Sequence, residues 1–119
     1  MMLNLNHKNL DVWKISVELV ADIYELTEKF PKTEIFGLSN QLRRASVSIT
    51  SNIGEGSARP TLPDRKKFYN TARSSLVEID SQLEVAVRLK FTNYAELTKI
   101  DEKMNELFAK LTNLINKSK

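Results

Sequence analysis

At 119 residues, with hydrophobic residues at 41% and charged residues at 28%, the chain has the length of one domain and the composition of a soluble globular or coiled-coil-like protein, not of a disordered one. It has no cysteine, which excludes disulfides and thiolate metal sites and fits a reducing cytoplasm; no stretch nears the roughly 18 apolar residues that span a bilayer. A net charge of +3 and a pI near 9.2 permit nucleic-acid contact without demanding it.

The opening MMLNLNHKNLDVWK lacks a basic region followed by an apolar run, so it does not read as a signal peptide. Residues 1–9 are expected to form a polar tail holding His7, the single histidine. With only three glycines and three prolines, few and long elements are expected. The first helix should run from about Leu10 to Lys29. Leu10, Trp13, Val17, Val20 and Tyr24 recur at three- and four-residue spacing. Val12, Ile15, Leu19, Ile23 and Leu26 form a second stripe beside them. That combined width exceeds what a lone bundle needs and points to a central helix or a subunit contact. Phe30-Pro31 ends it, because a residue before proline is pushed out of the helical region.

PKTEIFGLSN reads as a link, with Ser39 expected to cap the second helix. Leu38, Leu42, Ala45, Ile49 and Ile53 make that helix's apolar face, and Gly56 and Pro60 supply stop signals. Pro63 suits the first turn of a third helix. Its face is Phe68, Ala72, Leu76, Ile79, Leu83, Ala86 and Val87, reaching about Lys90. Thr92 or Asn93 is expected to cap the fourth, which carries Leu97, Ile100, Met104, Leu107, Phe108, Leu111, Leu114 and Ile115 at helical spacing. No run keeps a strand period. The expected fold is all-α: an antiparallel up-down-up-down four-helix bundle, one domain over 1–119, with residues 116–119 frayed.

Chemistry finds few candidates. Carboxylates such as Glu78, Asp80 and Glu84 lack the Glu-x-x-His pairing of di-metal bundles and read as a solvated face. Serines and threonines have no histidine base to activate them. Gly54-Glu55-Gly56 follows no strand and lacks the G-x-x-x-x-G-K-[ST] spacing of a phosphate loop. No cofactor and no catalytic residue is expected.

The stretch SITSNIGEG, residues 48–56, reads instead as helix. Gln41, Arg44, Ser48, Asn52 and Glu55 fall three or four apart on one face, beside the apolar stripe. This seam fixes helix register through hydrogen bonds, lies at a subunit interface or along a channel, or is a plain solvated face. Small residues at Ala45, Ser46, Ser48, Ser51 and Gly54 would allow close helix approach. Glu55 beside Ile49 and Ile53 would be costly to bury unpaired. Arg73 on the next helix is its expected partner, and Glu55→Ala is expected to lower thermal stability clearly.

Basic residues concentrate in the middle of the chain. Between Gln41 and Arg73 seven cations face two carboxylates, a balance of +5 that leaves −2 elsewhere. Arg59, Arg65, Lys66 and Lys67 surround the link between helices two and three; Arg43, Arg44 and Arg73 flank it. Such a set binds phosphates through charge, and Phe68 or Tyr69 could stack on bases. Phe68 reads as core and Tyr69 as the freer ring. The ordinary alternative is a solubilising surface.

The run LDVWKISVELVADIYELTEKFPKTEIFGLSNQLRRASVSITSNIGEGSAR, followed by FYNTARSSLVEIDSQLEVAVRL, resembles the bacterial four-helix-bundle proteins linked to 23S rRNA intervening sequences, the S23 family. The resemblance covers about Leu10 to Phe91. Its most specific parts include Val12-Trp13, Phe30-Pro31 with Glu34, Gln41 to Ala45, and Ser48 to Gly56. Ala72, Ser75-Leu76 and Glu78 join them. Trp13, Pro31, Gln41, Ser48, Asn52, Glu55 and Gly56 mark the signature. Gly54 stands where relatives carry alanine, a departure that costs some helix stability. The resemblance implies a bundle assembled into a homopentamer. The accessory variability determinants of diversity-generating retroelements are similar: basic pentameric barrels that bind nucleic acid and partner a reverse transcriptase. Carried over, Arg43, Arg44, Arg59, Arg65, Lys66, Lys67 and Arg73 become candidate nucleic-acid contacts. The family's "ribosomal" label reflects gene location.

Three functions follow in order. The first is a non-enzymatic, cytoplasmic homo-oligomer that binds RNA or DNA. The second is a scaffold docking a partner protein such as a reverse transcriptase. An enzyme is a distant third. No membrane partner is expected.

Overall fold

Apolar residues at helical spacing bury one stripe of each of four helices. The structure, a computed structural model, describes residues 3, 5, 6 and 10–117; His7 lies outside them. The elements are α1 (Asp11–Glu28), α2 (Leu38–Ser57), α3 (Leu62–Arg88) and α4 (Thr98–Lys117), with 3-10 turns at Lys32–Glu34 and Tyr94–Leu97. Among the described residues there is no strand, and no helix is long and apolar enough to cross a membrane. The 27 residues of α3 span about 40 Å at 1.5 Å each, which accounts for most of the 44 Å long axis.

Each helix meets its chain neighbour, α4 closes back on α1, and α2 with α3 forms the most extensive contact. Leu19, Ile23, Leu42, Ile49, Ile53, Ile79, Leu107 and Leu111 are fully buried where the four stripes converge. Each contributes about 1.5–3 kcal/mol by leaving water. Hydrogen bonds and ion pairs stitch the seams. The Thr50 hydroxyl donates to Ser16 Oγ at 2.9 Å between α1 and α2. Lys103 bridges Asp22 and Glu18 between α1 and α4, and Lys110 lies 3.6 Å from Asp11.

The helix ends correct several expectations. Ser39 is not the cap of α2; it is buried inside the first turn. Gly37 precedes the helix, and the Glu34 carboxylate accepts from the Leu38 N–H at 3.0 Å, doing the capping from the 3-10 turn. Gly56 does not stop α2, which runs one residue further to Ser57. Asn93 caps the 3-10 turn at Tyr94, accepting from Glu96 N at 3.0 Å, and α4 begins only at Thr98. Thr92 is buried and caps neither. At the other end α4 continues through Asn116 and Lys117, and the last two residues of the segment expected to fray lie outside the described residues. Helix α3 closes with Phe91 N bonded to Ala86 O and Lys90 N to Val87 O, the paired geometry of a left-handed C-terminal cap. Lys90 takes the left-handed position, φ 65°, where glycine is usual. Phe91 then packs on Phe30, ring centroids 5.5 Å apart.

In α1 the two stripes separate. Val12, Leu19, Ile23 and Leu26 enter the core, while Val17 and Tyr24 of the outer stripe stay partly in solvent.

Candidate nucleic-acid interface

The turn between α2 and α3 gathers the densest positive charge. Helix α2 ends where the Ala58 N–H takes the Gly54 and Glu55 carbonyls, and Pro60 follows. Thr61 then starts α3, its hydroxyl accepting from Asp64 N at 3.3 Å, with Pro63 in the first turn. Arg59 therefore sits in the turn, and Arg65, Lys66 and Lys67 fall at the opening of a long helix. Arg65 Nε donates to the Arg59 carbonyl at 2.7 Å and ties the two segments together. Arg59 Nη2 donates to Glu55 Oε2 at 2.7 Å while its guanidinium lies 4.7 Å from the Phe68 ring centroid.

The electrostatics of this turn are unusual. A helix N-terminus carries partial positive charge and favours acidic side chains. Asp64 obeys that preference; Arg65, Lys66 and Lys67 oppose it. Among the described residues none of these three forms an ion pair. The local potential is thus raised by side chains and backbone together, and an anion would relieve it. Glu55 offsets Arg59, but both are solvent-exposed and such pairs contribute little.

The structure does not bring all seven expected cations together. Arg43 is a strut between α1 and α2. Its Nε donates to Thr27 Oγ1 at 2.8 Å, its guanidinium lies 4.6 Å from the Tyr24 ring centroid, and Glu28 is 3.8 Å away. Arg73 repeats the device between α3 and α4. It donates to Thr112 Oγ1 at 3.1 Å and Asn70 Oδ1 at 3.2 Å, with Phe108 at 5.7 Å. Arg44 is exposed on the α1–α2 side, bordering a hollow with Tyr24, Ile35 and Val47.

The 48–56 stretch is helix throughout. Its seam is bonded in the middle and solvated at the ends. Ser48 Oγ is 3.2 Å from Ser75 Oγ on α3, and Asn52 Nδ2 donates to the Ser48 carbonyl at 2.8 Å and its hydroxyl at 3.1 Å. Gln41, Arg44 and Glu55 are exposed. The expected Glu55–Arg73 pair is absent, because Arg59, one helical turn away, reaches Glu55 first and Arg73 is held by α4. Gly56 faces α3: a methyl group there would come within 2.9 Å of Tyr69 Cε1 and 3.0 Å of Phe68 Cβ.

Other signature residues are structural. Trp13 packs half-buried against the core, and its carbonyl accepts from Ser16 Oγ at 2.6 Å. The Pro31 carbonyl accepts from Glu34 N at 2.9 Å, shaping the turn that caps α2.

The two aromatics exchange their expected roles. Tyr69 is buried, with its hydroxyl 3.0 Å from Ser57 Oγ, whereas Phe68 is half-buried under Arg59. Tyr69 thus offers no ring for stacking. Thr61 and the two clamp threonines, Thr27 and Thr112, escaped the sequence reading. Thr61-x-x-Asp64 with Pro63 carries a local capping signal. Thr27 and Thr112 matter only through partners 16 and 39 residues away.

Comparison with known proteins bears on the family and the fold. The family model described as 23S rRNA-intervening sequence protein matches residues 8–113. The chain is also similar to a crystal structure of a protein of unknown function from the S23 ribosomal protein family of Bacteroides thetaiotaomicron VPI-5482. The TM-score is 0.77 at 23% identity, covering 87% of this chain and 97% of that one. At that identity the likeness shows a shared fold. No curated protein matches the chain.

Proposed function

Because the chain belongs to the 23S rRNA-intervening sequence protein family, we propose that it is a non-enzymatic cytoplasmic homo-oligomer, a pentamer by family likeness, that binds nucleic acid, RNA first, through the basic α2–α3 end. One observation carries the reading. Arg65, Lys66 and Lys67 crowd the opening of a 27-residue helix against its own dipole, and among the described residues none of the three forms an ion pair. Local rules are broken most readily where a ligand supplies the compensation. Arg59, fixed on Phe68 and linked to Arg65, adds a fourth charge to the same turn. Arg44 stands apart from this end, on the α1–α2 side, and Arg43 and Arg73 act through the fold.

An antiparallel up-down-up-down order is part of this reading. Its support is the pairing of Thr27 with Arg43 and Ser16 with Thr50, of Ser57 with Tyr69 and Ser48 with Ser75, and of Glu84 with Tyr94 and Arg73 with Thr112. In each helix pair, rising numbers on one side meet falling numbers on the other.

The test is fluorescence anisotropy of labelled RNA and DNA against nuclease-treated protein. Arg65→Ala/Lys66→Ala/Lys67→Ala is expected to weaken binding about tenfold or more, the scale of a few lost phosphate contacts. No binding by the unaltered protein at low salt would overturn the reading. A second reading is a scaffold for a partner protein such as a reverse transcriptase, which the resemblance read in the sequence to retroelement accessory determinants implies. The exposed Ile35-Phe36 link favours it, and co-purification of one stoichiometric protein would decide for it.

A further inference from the structure

Two surfaces on opposite sides of the bundle are uncovered, and they carry opposite charge. Helix α2 lies between α1 and α3, and α4 closes the circuit onto α1, so the α1–α2 and α3–α4 faces point away from each other. The Lys29–Glu96 contact at 4.0 Å sets the two interhelical links at the same end of the molecule. On the first face, the link after α1 leaves Ile35 and Phe36 in water, Phe36 at 92% exposure. Ile35 borders an open hollow of about 590 Å³ shared with Arg43 and Arg44.

On the opposite face, a groove of about 390 Å³ runs between α3 and α4 over the buried Leu83, Leu97 and Met104. Asp80, Glu84, Asp101 and Glu102 stand along it, all exposed. Among the described residues none of these four carboxylates pairs with a cation, and Arg44 pairs with no carboxylate.

We propose that a second copy of this chain fills the groove: Ile35 and Phe36 of one copy seat on the apolar floor between α3 and α4 of the next, and Arg44 meets the carboxylates along the rim. The proposal rests on the homo-oligomeric reading above and adds the two faces that join. Three features select it. An aromatic ring of Phe size has about 150–250 Å² to remove from water, and the groove has an apolar floor to receive it. The charges match only when unlike faces meet. A two-fold contact of either face with itself would set arginines against arginines or carboxylates against carboxylates. A contact between unlike faces is head-to-tail, so it repeats from copy to copy and closes into a ring or grows as a filament.

The test uses the full chain and two variants at exposed positions, Phe36→Asp for the first face and Asp80→Lys/Glu102→Lys for the second. Masses are read by sedimentation or native mass spectrometry, with circular dichroism to check the helices. The unaltered protein is expected to be a multiple of the 13.6 kDa chain and each variant a folded monomer. An equimolar mixture of the two variants should give a species of twice the monomer mass and nothing larger, because one intact pair of faces remains. Variants that keep the parent mass would overturn the proposal and leave the groove to another partner. So would an acidic-face variant that stays assembled while Phe36→Asp does not, since that is self-contact of the first face. An unaltered protein that is monomeric would remove the oligomeric reading itself, whatever the variants do.

Discussion

A single hydrogen at Gly56 decides how closely α2 approaches α3. A methyl there meets Tyr69 Cε1 at 2.9 Å, a ring that can turn slightly, and Phe68 Cβ at 3.0 Å, an atom that moves only with its backbone. Gly56→Ala gains about 1 kcal/mol of helix propensity and loses about 1–3 kcal/mol to overpacking. The expected net effect is destabilisation, read as a lower urea midpoint; a raised midpoint would show that α3 yields freely. The neighbouring Glu55→Ala should change stability by less than about 0.5 kcal/mol, since its pair with Arg59 is exposed. A loss well beyond that in the same titration would restore a buried role. Tyr94 offers a pH signature. Its hydroxyl donates to Glu84 Oε2 at 2.8 Å, and this bond, then the carboxylate's charge, raise its ionisation above the usual tyrosine value. The raised value means that the bond helps the fold below the ordinary tyrosine range near 10, and that help is lost as pH rises through the raised one. Glu84→Ala should bring the ionisation back down, followed by near-ultraviolet absorbance; an unmoved titration would rule out the bond.

At the scale of elements, two arginine clamps fix the helix pairs. Arg43 and Arg73 each join a threonine hydroxyl and an aromatic face on the adjoining helix. Lysine keeps the charge but not the planar fork. Arg43→Lys and Arg73→Lys should therefore each cost about 1–2 kcal/mol in chemical denaturation. Lys67→Ala, at an exposed position, should stay within about 0.5 kcal/mol. If Lys67→Ala costs as much as the clamps, the division between struts and binding charges fails. The same division shows what was legible in the sequence. Helices α1 and α3 were readable to within about two residues because their stripes are long and their ends carry proline or cap signals. The cap of α2 was not, since Glu34 supplies it from across a 3-10 turn, nor was the start of α4, since Asn93 caps a 3-10 turn that precedes it. The cluster at Arg59 to Lys67 was visible because it is contiguous. The separation of Arg43 and Arg73 from it depends on Thr27 and Thr112, contacts that no local pattern encodes.

Across the whole molecule, charge and apolar surface are segregated by face and by end. The α2–α3 end concentrates cations, the α3–α4 groove concentrates carboxylates, and the α1–α2 link leaves Phe36 in water. In the proposed assembly each part has a use: unlike faces join copies, and the fields of repeated basic ends add. The most direct measurement is the salt dependence of RNA binding, for the unaltered protein and for Arg65→Ala/Lys66→Ala/Lys67→Ala. Each single-strand phosphate contact contributes about 0.7 to the slope of log affinity against log salt. The account predicts a steep negative slope that becomes shallower in the variant, with weaker affinity at every salt. Equal slopes and affinities for the two proteins would contradict it.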